Sequence, residues 1–309
     1  MDLQQELNKT GGFKNLELLA KQVVEGFIAG MHKSPFHGFS AEFAEHKIYN
    51  PGESTKHIDW KLYAKTDRLY TKRYDEETNL RCHIILDNSS SMHYPELAGT
   101  SIDHLNKVAF SALASASLMH ILKKQRDAVG LSIYSDNYDF YSPEKGSERH
   151  HQMLLHKLSD AVVSKPETKT TETYRYLHQI AEKIHRRSLI FVFTDMFQTS
   201  EDDEKLFEAL RHLKHNKHEV VLFHVFDKEK ELSFDFDNRP KRFIDVETGD
   251  HINLYADNVK TTYEKAVKEY FTDLKLRCGQ YRIKYVEADI KAGFNSILTT
   301  YMIERQKFI

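Results

Sequence analysis

The chain is poor in the residues that mark most specialised protein classes. Of its 309 residues only two are cysteines, Cys82 and Cys278, which lie far apart in no metal-ligand or disulfide spacing. Its twelve glycines include no Gly-x-x-x-x-Gly-Lys-Ser/Thr or Gly-x-Gly-x-x-Gly phosphate loop, so the sequence gives no support for a nucleotide site. No stretch approaches the ~20 apolar residues that a membrane-spanning helix needs. Neither an internal repeat nor a low-complexity tract is present.

The charge balance excludes a further class. Lysine plus arginine number 44 and aspartate plus glutamate number 46, giving a formal charge of −2. A nucleic-acid-binding domain usually carries a basic patch or stripe, so no nucleic-acid partner is expected. The first residues, Met-Asp-Leu-Gln-Gln-Glu-Leu, are acidic and polar, unlike a signal peptide. We therefore expect a cytoplasmic protein.

From about residue 80 the pattern alternates between apolar strands and helices, whereas residues 1–79 indicate a helix near 14–31 followed by short extended pieces. The predicted strands are Arg81–Asp87, Ala128–Ser135, Ser188–Asp195, Glu219–Asp227 and Tyr281–Val286. An uninterrupted apolar strand such as 189–193 indicates burial on both faces, as in a parallel sheet covered by helices. The sequence thus predicts an N-terminal α+β module (1–79) and a doubly wound, mainly parallel α/β domain (80–309). That domain would carry a β insertion at about 229–256.

Oxygen-bearing side chains follow two of these strands. Asp87, Ser89 and Ser91 come after the first strand, and Asp195 ends the third. In a doubly wound sheet, ligands bind beyond the carboxyl ends of strands where the strand order reverses. If these two strands are neighbours at that point, both acids face one crevice. Thr171, or Thr170 beside it, adds a hydroxyl. Both lie just before the predicted helix that leads into the strand ending at Asp195. Mg²⁺ prefers oxygen ligands and seldom needs more than one or two carboxylates, so the set predicts a Mg²⁺ site that could also take Mn²⁺.

The order Asp-x-Ser-x-Ser, Thr, Asp resembles the metal-ion-dependent adhesion site of von Willebrand factor type A domains. A second block precedes it, with Gly-x-x-x-Glu-Phe, Tyr-Asn-Pro-Gly-Glu and Ile-Asp-Trp, and this resembles the signature of the bacterial domain of unknown function 58 family. Its matching residues are Gly38, Glu42, Tyr49, Pro51, Gly52, Glu53, Asp59 and Trp60. Trp60, the only tryptophan, is expected to pack the N-terminal module onto the sheet, and Asp59 to cap or pair locally.

The resemblance implies a von Willebrand factor A-like, Rossmann-type fold and a non-enzymatic role. Relatives are often encoded with MoxR-type AAA+ ATPases, so it implies an adaptor or co-chaperone that binds such an ATPase or its client. In similar adhesion sites the hydroxyls of serine and threonine bind the metal directly, the aspartates act mostly through water, and an acidic residue of the partner completes the coordination.

Two enzymatic alternatives stay open at this point. A metal-dependent phosphohydrolase could use Asp87 as nucleophile, but such enzymes usually have a second aspartate two residues later, where this chain has Ser89. A zinc hydrolase is suggested by the 18 histidines, among them His212, His215 and His218. These show no His-Glu-x-x-His pattern and are expected on a solvated helix face.

Overall fold

The structure is a computed structural model that describes residues 16–30, 45–49, 58–73, 80–96, 105–135, 139–164, 173–196, 203–215, 217–237, 239–244 and 251–306. The strands are β1 (Glu45–Ile48), β2 (Tyr70–Arg73), β3 (Arg81–Asp87), β4 (Ala128–Tyr134), β5 (Phe140–Lys145), β6 (Leu189–Thr194), β7 (Glu219–Phe226), β8 (Pro240–Ile244), β9 (His251–Tyr255) and β10 (Lys284–Asp289). The α-helices are α1 (Leu16–Gly30), α2 (Trp60–Thr66), α3 (Lys107–Lys124), α4 (Glu148–Val163), α5 (Thr173–Lys183), α6 (Asp203–His215), α7 (Ala256–Gln280) and α8 (Asn295–Arg305).

The centre of the fold is a six-stranded sheet with the order β10-β7-β6-β3-β4-β5. Neighbouring strands are parallel except for β5, which runs antiparallel to β4 at the edge. The chain builds outward from β3 to β4 and then returns to place β6 on the other side of β3. The predicted mainly parallel α/β fold is therefore confirmed, and the strand order reverses between β3 and β6.

Alternation along the strands creates a core on each face of the sheet. On one face, side chains such as Ile84 and Phe191 pack against α1, α3, α4 and α8. On the other face, Ile85 and Val192 pack against α5, α6 and α7. Successive residues of a strand point to opposite faces, so strands enclosed by helices are apolar at most positions. Helix α1, which the sequence placed in the N-terminal module, belongs to the first of these cores.

Two segments differ from the sequence prediction by more than one residue at an end. The last strand is Lys284–Asp289 rather than Tyr281–Val286, because α7 continues to Gln280 and Arg282 takes a left-handed φ of 56° before the strand begins. The segment predicted as a β insertion opens with a π-helical turn at Lys228–Leu232 and continues as the β8–β9 hairpin. Asp227 caps that turn by accepting hydrogen bonds from the backbone of Glu229 and Lys230.

Candidate functional site

Asp87 and Asp195 lie side by side at the carboxyl edge of the sheet. Asp87 is the last residue of β3 and Asp195 directly follows β6, the strand that pairs with β3 in parallel. Both residues are buried, each with 2% of its surface exposed. The two carboxylates therefore flank the point at which the strand order reverses, where ligands bind in sheets of this kind.

The loop after β3 is shaped around the Asp87 carboxylate. Asp87 Oδ1 accepts a hydrogen bond from the backbone of Ser89 at 2.9 Å, and Oδ2 accepts one from the Thr194 hydroxyl at 2.7 Å. A short 3₁₀ turn at Ser90–His93 then places the hydroxyls of Ser89 and Ser91 3.1 Å apart. Three of the predicted metal ligands, Asp87, Ser89 and Ser91, thus lie together, and each would bind a metal through oxygen.

Burial dominates the electrostatics of Asp87. It raises the pKa of this carboxyl to about 6, with a further contribution from the nearby charge of Asp195, although the hydrogen bonds from Ser89 and Thr194 act in the opposite direction. An ionised carboxylate without a nearby cation is unfavourable in such surroundings. Burial thus gives Asp87 an electrostatic reason to gain a positive neighbour.

Lys107 is part of the site, and the sequence analysis did not include it. This lysine is the first residue of α3, is 1% exposed, and donates to Asp195 Oδ2 at 2.9 Å and to Glu231 Oε1 at 2.6 Å. Burial alone would lower the pKa of Lys107, but the charges of Asp195 and Glu231 raise it above its ordinary value. The Lys107 side chain is therefore an ammonium ion at the carboxyl edge of the sheet.

Glu231 reaches the site from the π-helical turn that follows β7. Its Oε2 accepts a hydrogen bond from the backbone of Asp227 at 2.7 Å, and its carbonyl accepts one from the Tyr263 hydroxyl at 2.9 Å. These contacts hold the carboxylate toward Lys107 and away from solvent. The turn thus contributes a third acidic side chain that sequence order alone could not place beside Asp195.

The backbone just after Asp195 is strained. Met196 has a left-handed φ of 57°, a conformation that is unfavourable for a residue other than glycine. Its N–H donates to the Thr194 hydroxyl at 3.2 Å and its carbonyl accepts from the Tyr270 hydroxyl. Such strain persists where surrounding contacts fix the backbone, and it occurs often at functional sites. Here it turns the chain out of β6 directly beyond the Asp195 carboxylate.

The remaining predicted ligand lies outside the described residues. Neither Thr171 nor its neighbour Thr170 can be placed, so the choice between them stays a prediction. Within the described part of the chain, no group of three or more histidine, cysteine, aspartate or glutamate side chains is arranged to hold a metal ion. The candidate site instead combines two carboxylates with hydroxyl groups, the donor set expected from the sequence for a hard cation.

The signature block is described only in part. Gly38, Glu42, Pro51, Gly52 and Glu53 lie outside the described residues. The backbone of Tyr49 donates to Leu69, and Asp59 caps α2 by accepting hydrogen bonds from the backbone of Lys61 and Leu62.

The expectation that Trp60 packs onto the sheet is wrong. Its side chain is 63% exposed and makes an edge-on contact with Tyr63. Trp60 occupies the first position of a short helix whose described residues include none that are buried, so its ring has no apolar layer to enter.

The histidines do not form a metal centre among the described residues. His218 is buried, in contrast to the expected solvated position, and its Nδ1 accepts a hydrogen bond from the backbone of Ser188 at 3.1 Å. His212 contacts His178 through their Nδ1 atoms at 3.0 Å. His224 lies in β7 with its Nδ1 2.6 Å from the Tyr285 hydroxyl, and burial lowers its pKa to about 4. These contacts give the histidines structural partners.

In the described part of the chain, no helix combines the length and apolar character needed to cross a membrane.

Among solved structures, the chain is similar to the conserved hypothetical protein BatB from Bacteroides thetaiotaomicron, with 17% identity, a TM-score of 0.46, and coverage of 74% of this chain and 98% of that one. It is also similar to an aerotolerance-related membrane protein from Bacteroides fragilis, with 15% identity, a TM-score of 0.42, and coverage of 71% and 99%.

Sequence relatives are uncharacterized proteins. One from Mycobacterium tuberculosis is 25% identical over 107 residues, which is 35% of this chain and 32% of that protein. Uncharacterized protein YeaD of Bacillus subtilis is 23% identical over 124 residues, 40% of this chain and 28% of the relative. The matched segment thus spans about a third of the length of these relatives. A family model described as "Protein of unknown function DUF58" matches residues 45–272, more than half of the chain, and the chain belongs to this family.

Proposed function

We propose that this chain is a non-enzymatic, metal-dependent protein-binding module. In this proposal its α/β domain is von Willebrand factor A-like, and Asp87, Ser89, Ser91, Asp195 and a threonine at 170 or 171 form a metal-ion-dependent adhesion site. The observation that carries the proposal is that Asp87 and Asp195 lie at the ends of the paired strands β3 and β6, where the strand order reverses, with the Ser89 backbone bonded to the Asp87 carboxylate.

The donor chemistry fits Mg²⁺ or Mn²⁺. The hydroxyls of Ser89 and Ser91 are adjacent, and an ionised carboxylate has about four lone-pair sites, more than the hydrogen bonds that Asp87 receives from Ser89 and Thr194. Among the described residues the crevice also holds more acid than base, since Asp87, Asp195 and Glu231 accompany Lys107. When bound, a divalent cation would supply a positive centre for an oxygen ligand from outside the chain.

The residues of the chain have distinct roles in this proposal. Asp87, Ser89 and Ser91 would hold the cation. Lys107 donates to one oxygen of Asp195 at 2.9 Å, so Asp195 would interact with the bound cation only through its other oxygen or through water. Because much of the coordination is by neutral hydroxyls, the cation retains its attraction for a carboxylate of a partner protein. We propose a MoxR-type AAA+ ATPase or its client as that partner.

The alternative, a phosphohydrolase with Asp87 as nucleophile, has no supporting observation. Asp87 is buried and both of its oxygens accept hydrogen bonds, whereas a nucleophile must approach a substrate phosphorus atom. Ser89 occupies the position at which a second aspartate would act as acid and base.

The test is direct measurement of Mn²⁺ binding by electron paramagnetic resonance on the full chain. The double variant Ser89→Ala/Ser91→Ala removes the two proposed hydroxyl ligands, and Ser90→Ala in the same turn is the matched control. We expect the double variant to bind Mn²⁺ at least tenfold more weakly than the wild type, and Ser90→Ala to retain its affinity. Equal affinity in all three would refute the proposed site.

Partner binding is tested separately, with the purified MoxR-type ATPase of the same genome. We expect Mg²⁺-dependent co-migration in size-exclusion chromatography that EDTA and the double variant both abolish. Phosphoesterase activity in the wild type that Asp87→Asn removes would instead establish the enzymatic alternative.

A further inference from the structure

The carboxyl edge of the sheet gathers more negative than positive charge. Asp87 and Asp195 are each 2% exposed, and the Glu231 side chain is 14% exposed. The buried cation among them is Lys107. Burying like charges together is unfavourable unless a positive group lies between them, so the position of Lys107 decides how this edge is stabilised.

Lys107 stands where helix formation would not select a lysine. It is the first residue of α3, directly after the N-cap Asn106, and a positive charge at a helix N-terminus opposes the helix dipole. The residues after it in α3 are apolar or small and buried as far as Met119. Lys107 is unfavourable for the start of α3, but it pairs with acids from two other segments. Its position is therefore accounted for by the ion pairs and not by helix formation.

The lysine serves one half of the crevice. Its ammonium group contacts Asp195 Oδ2 and Glu231 Oε1, at 2.9 and 2.6 Å. The Asp87 carboxylate receives only N–H and O–H donors from Ser89 and Thr194 in the contacts above. The edge therefore has one side where Lys107 neutralises Asp195 and Glu231, and another, with Ser89 and Ser91, where no lysine or arginine of the described residues forms an ion pair with Asp87.

We propose that Lys107 is the chain's own counter-cation for Asp195, so that a divalent cation binds reversibly at the Asp87 side and is not needed for folding. This inference rests on the proposed metal site and adds Lys107 and Glu231 to it as charge-setting residues. With Lys107 present, the fold is complete without metal and the added cation meets fewer uncompensated negative charges. Without Lys107, the divalent cation would become the main positive group for three carboxylates.

The consequence is a reciprocal relation between Lys107 and the metal. Lys107→Met should lose stability in EDTA, because Asp195 and Glu231 then lack their cation. The same variant should bind Mn²⁺ at least tenfold more tightly than the wild type and recover stability when Mg²⁺ is added, since a ligand stabilises the state that binds it. A lysine that acted only as a structural link would give the loss of stability without the metal-dependent recovery.

The experiment compares the full-length wild type with three variants, Lys107→Met, Glu231→Gln and Lys107→Met/Glu231→Gln. The double variant removes one charge of each sign and is the charge-matched control. Thermal unfolding by circular dichroism is recorded in EDTA and in excess Mg²⁺, and Mn²⁺ affinity is measured by electron paramagnetic resonance. We expect the Mg²⁺-induced rise in Tm to be largest for Lys107→Met, near the wild-type rise for the double variant, and smallest for Glu231→Gln.

Failure of this inference can be told apart from failure of the proposed function. If the wild type binds Mn²⁺ and Ser89→Ala/Ser91→Ala does not, the site exists, and equal Mn²⁺ affinities and Tm shifts across the Lys107 and Glu231 variants overturn only the counter-cation role. If the wild type does not bind Mn²⁺, both proposals fall. Should Lys107→Met not fold in either buffer, Glu231→Gln and the double variant carry the comparison, and unchanged affinity in Glu231→Gln overturns the inference.

Discussion

Replacing Asp87 by asparagine should make the metal-free protein more stable at neutral pH. The ordinary pKa of this carboxyl is 3.8, and burial beside Asp195 raises it to about 6 in the folded chain. An acid whose pKa is raised by folding binds its proton more tightly in the folded state. Its ionisation therefore removes stability as the pH rises from about 4 through about 6.

The difference between 3.8 and about 6 corresponds to about 3 kcal/mol of unfolding free energy. Asparagine is neutral at every pH and resembles the protonated acid in shape. Its carbonyl can accept from the Ser89 backbone, and its NH₂ group can donate to the Thr194 hydroxyl, so the local contacts are kept in number. In EDTA, Asp87→Asn should be more stable than the wild type by up to about 3 kcal/mol near pH 7, and nearly equal to it near pH 4.

Urea unfolding in EDTA across this pH range measures the difference, with Asp257→Asn as the control because Asp257 is an exposed aspartate in the first turn of α7. The control should follow the wild type at each pH. A wild type that gains stability relative to Asp87→Asn as the pH rises would refute the reasoning, because it would mean that the ionised form of Asp87 is the one favoured by folding. Excess Mg²⁺ should reduce the advantage of the asparagine variant near pH 7.

Three further predictions concern stability and are checked by urea unfolding. Trp60→Ala should change the unfolding free energy by no more than about 1 kcal/mol, since the ring is 63% exposed; a loss above ~3 kcal/mol would show that it packs against the domain. Gly130→Ala should cost about 1–3 kcal/mol because a Cβ atom there would lie 2.5 Å from Nδ1 of His83, whereas Gly26→Ala, with open space around it on α1, should be neutral or stabilising. Asp59→Ala should cost about 1 kcal/mol by removing the cap of α2, and an unchanged midpoint would mean that α2 does not contribute to cooperative unfolding.

The sequence predicts the sheet well because its strands are buried on both faces. Runs such as 84–86 and 189–193 are continuously apolar. Asp87 directly follows the first run, and Asp195 follows the second after Thr194. The placement of Asp87 beside the end of β6 follows once β3 and β6 are neighbours in parallel register, and the sequence left that condition open. The capping role of Asp59 was likewise among its expected roles, because the cap is formed within four residues.

What the sequence could not supply is the pairing of Lys107 with Glu231. The two residues are 124 positions apart, and their contact depends on a π-helical turn that the pattern suggested as part of a β insertion. The available signal was a lysine at the head of an otherwise apolar helix, which is unusual for a buried helix. The exposure of Trp60 was missed for a related reason. Tryptophan is usually largely buried, and the sequence does not show which other segments pack near it.

The packing of α1 and α8 has a consequence for which fragments of this family can fold alone. The family match covers residues 45–272, but Leu16, Leu19 and Val24 of α1 are buried in the same core as α3. The match also ends inside α7 and omits β10, which extends the sheet beyond β7, together with α8 and its buried Tyr301. A fragment cut at the family boundaries would expose one face of the core and the edge of β7, where unpaired backbone invites aggregation. The shared stretch of sequence is therefore shorter than the unit that folds.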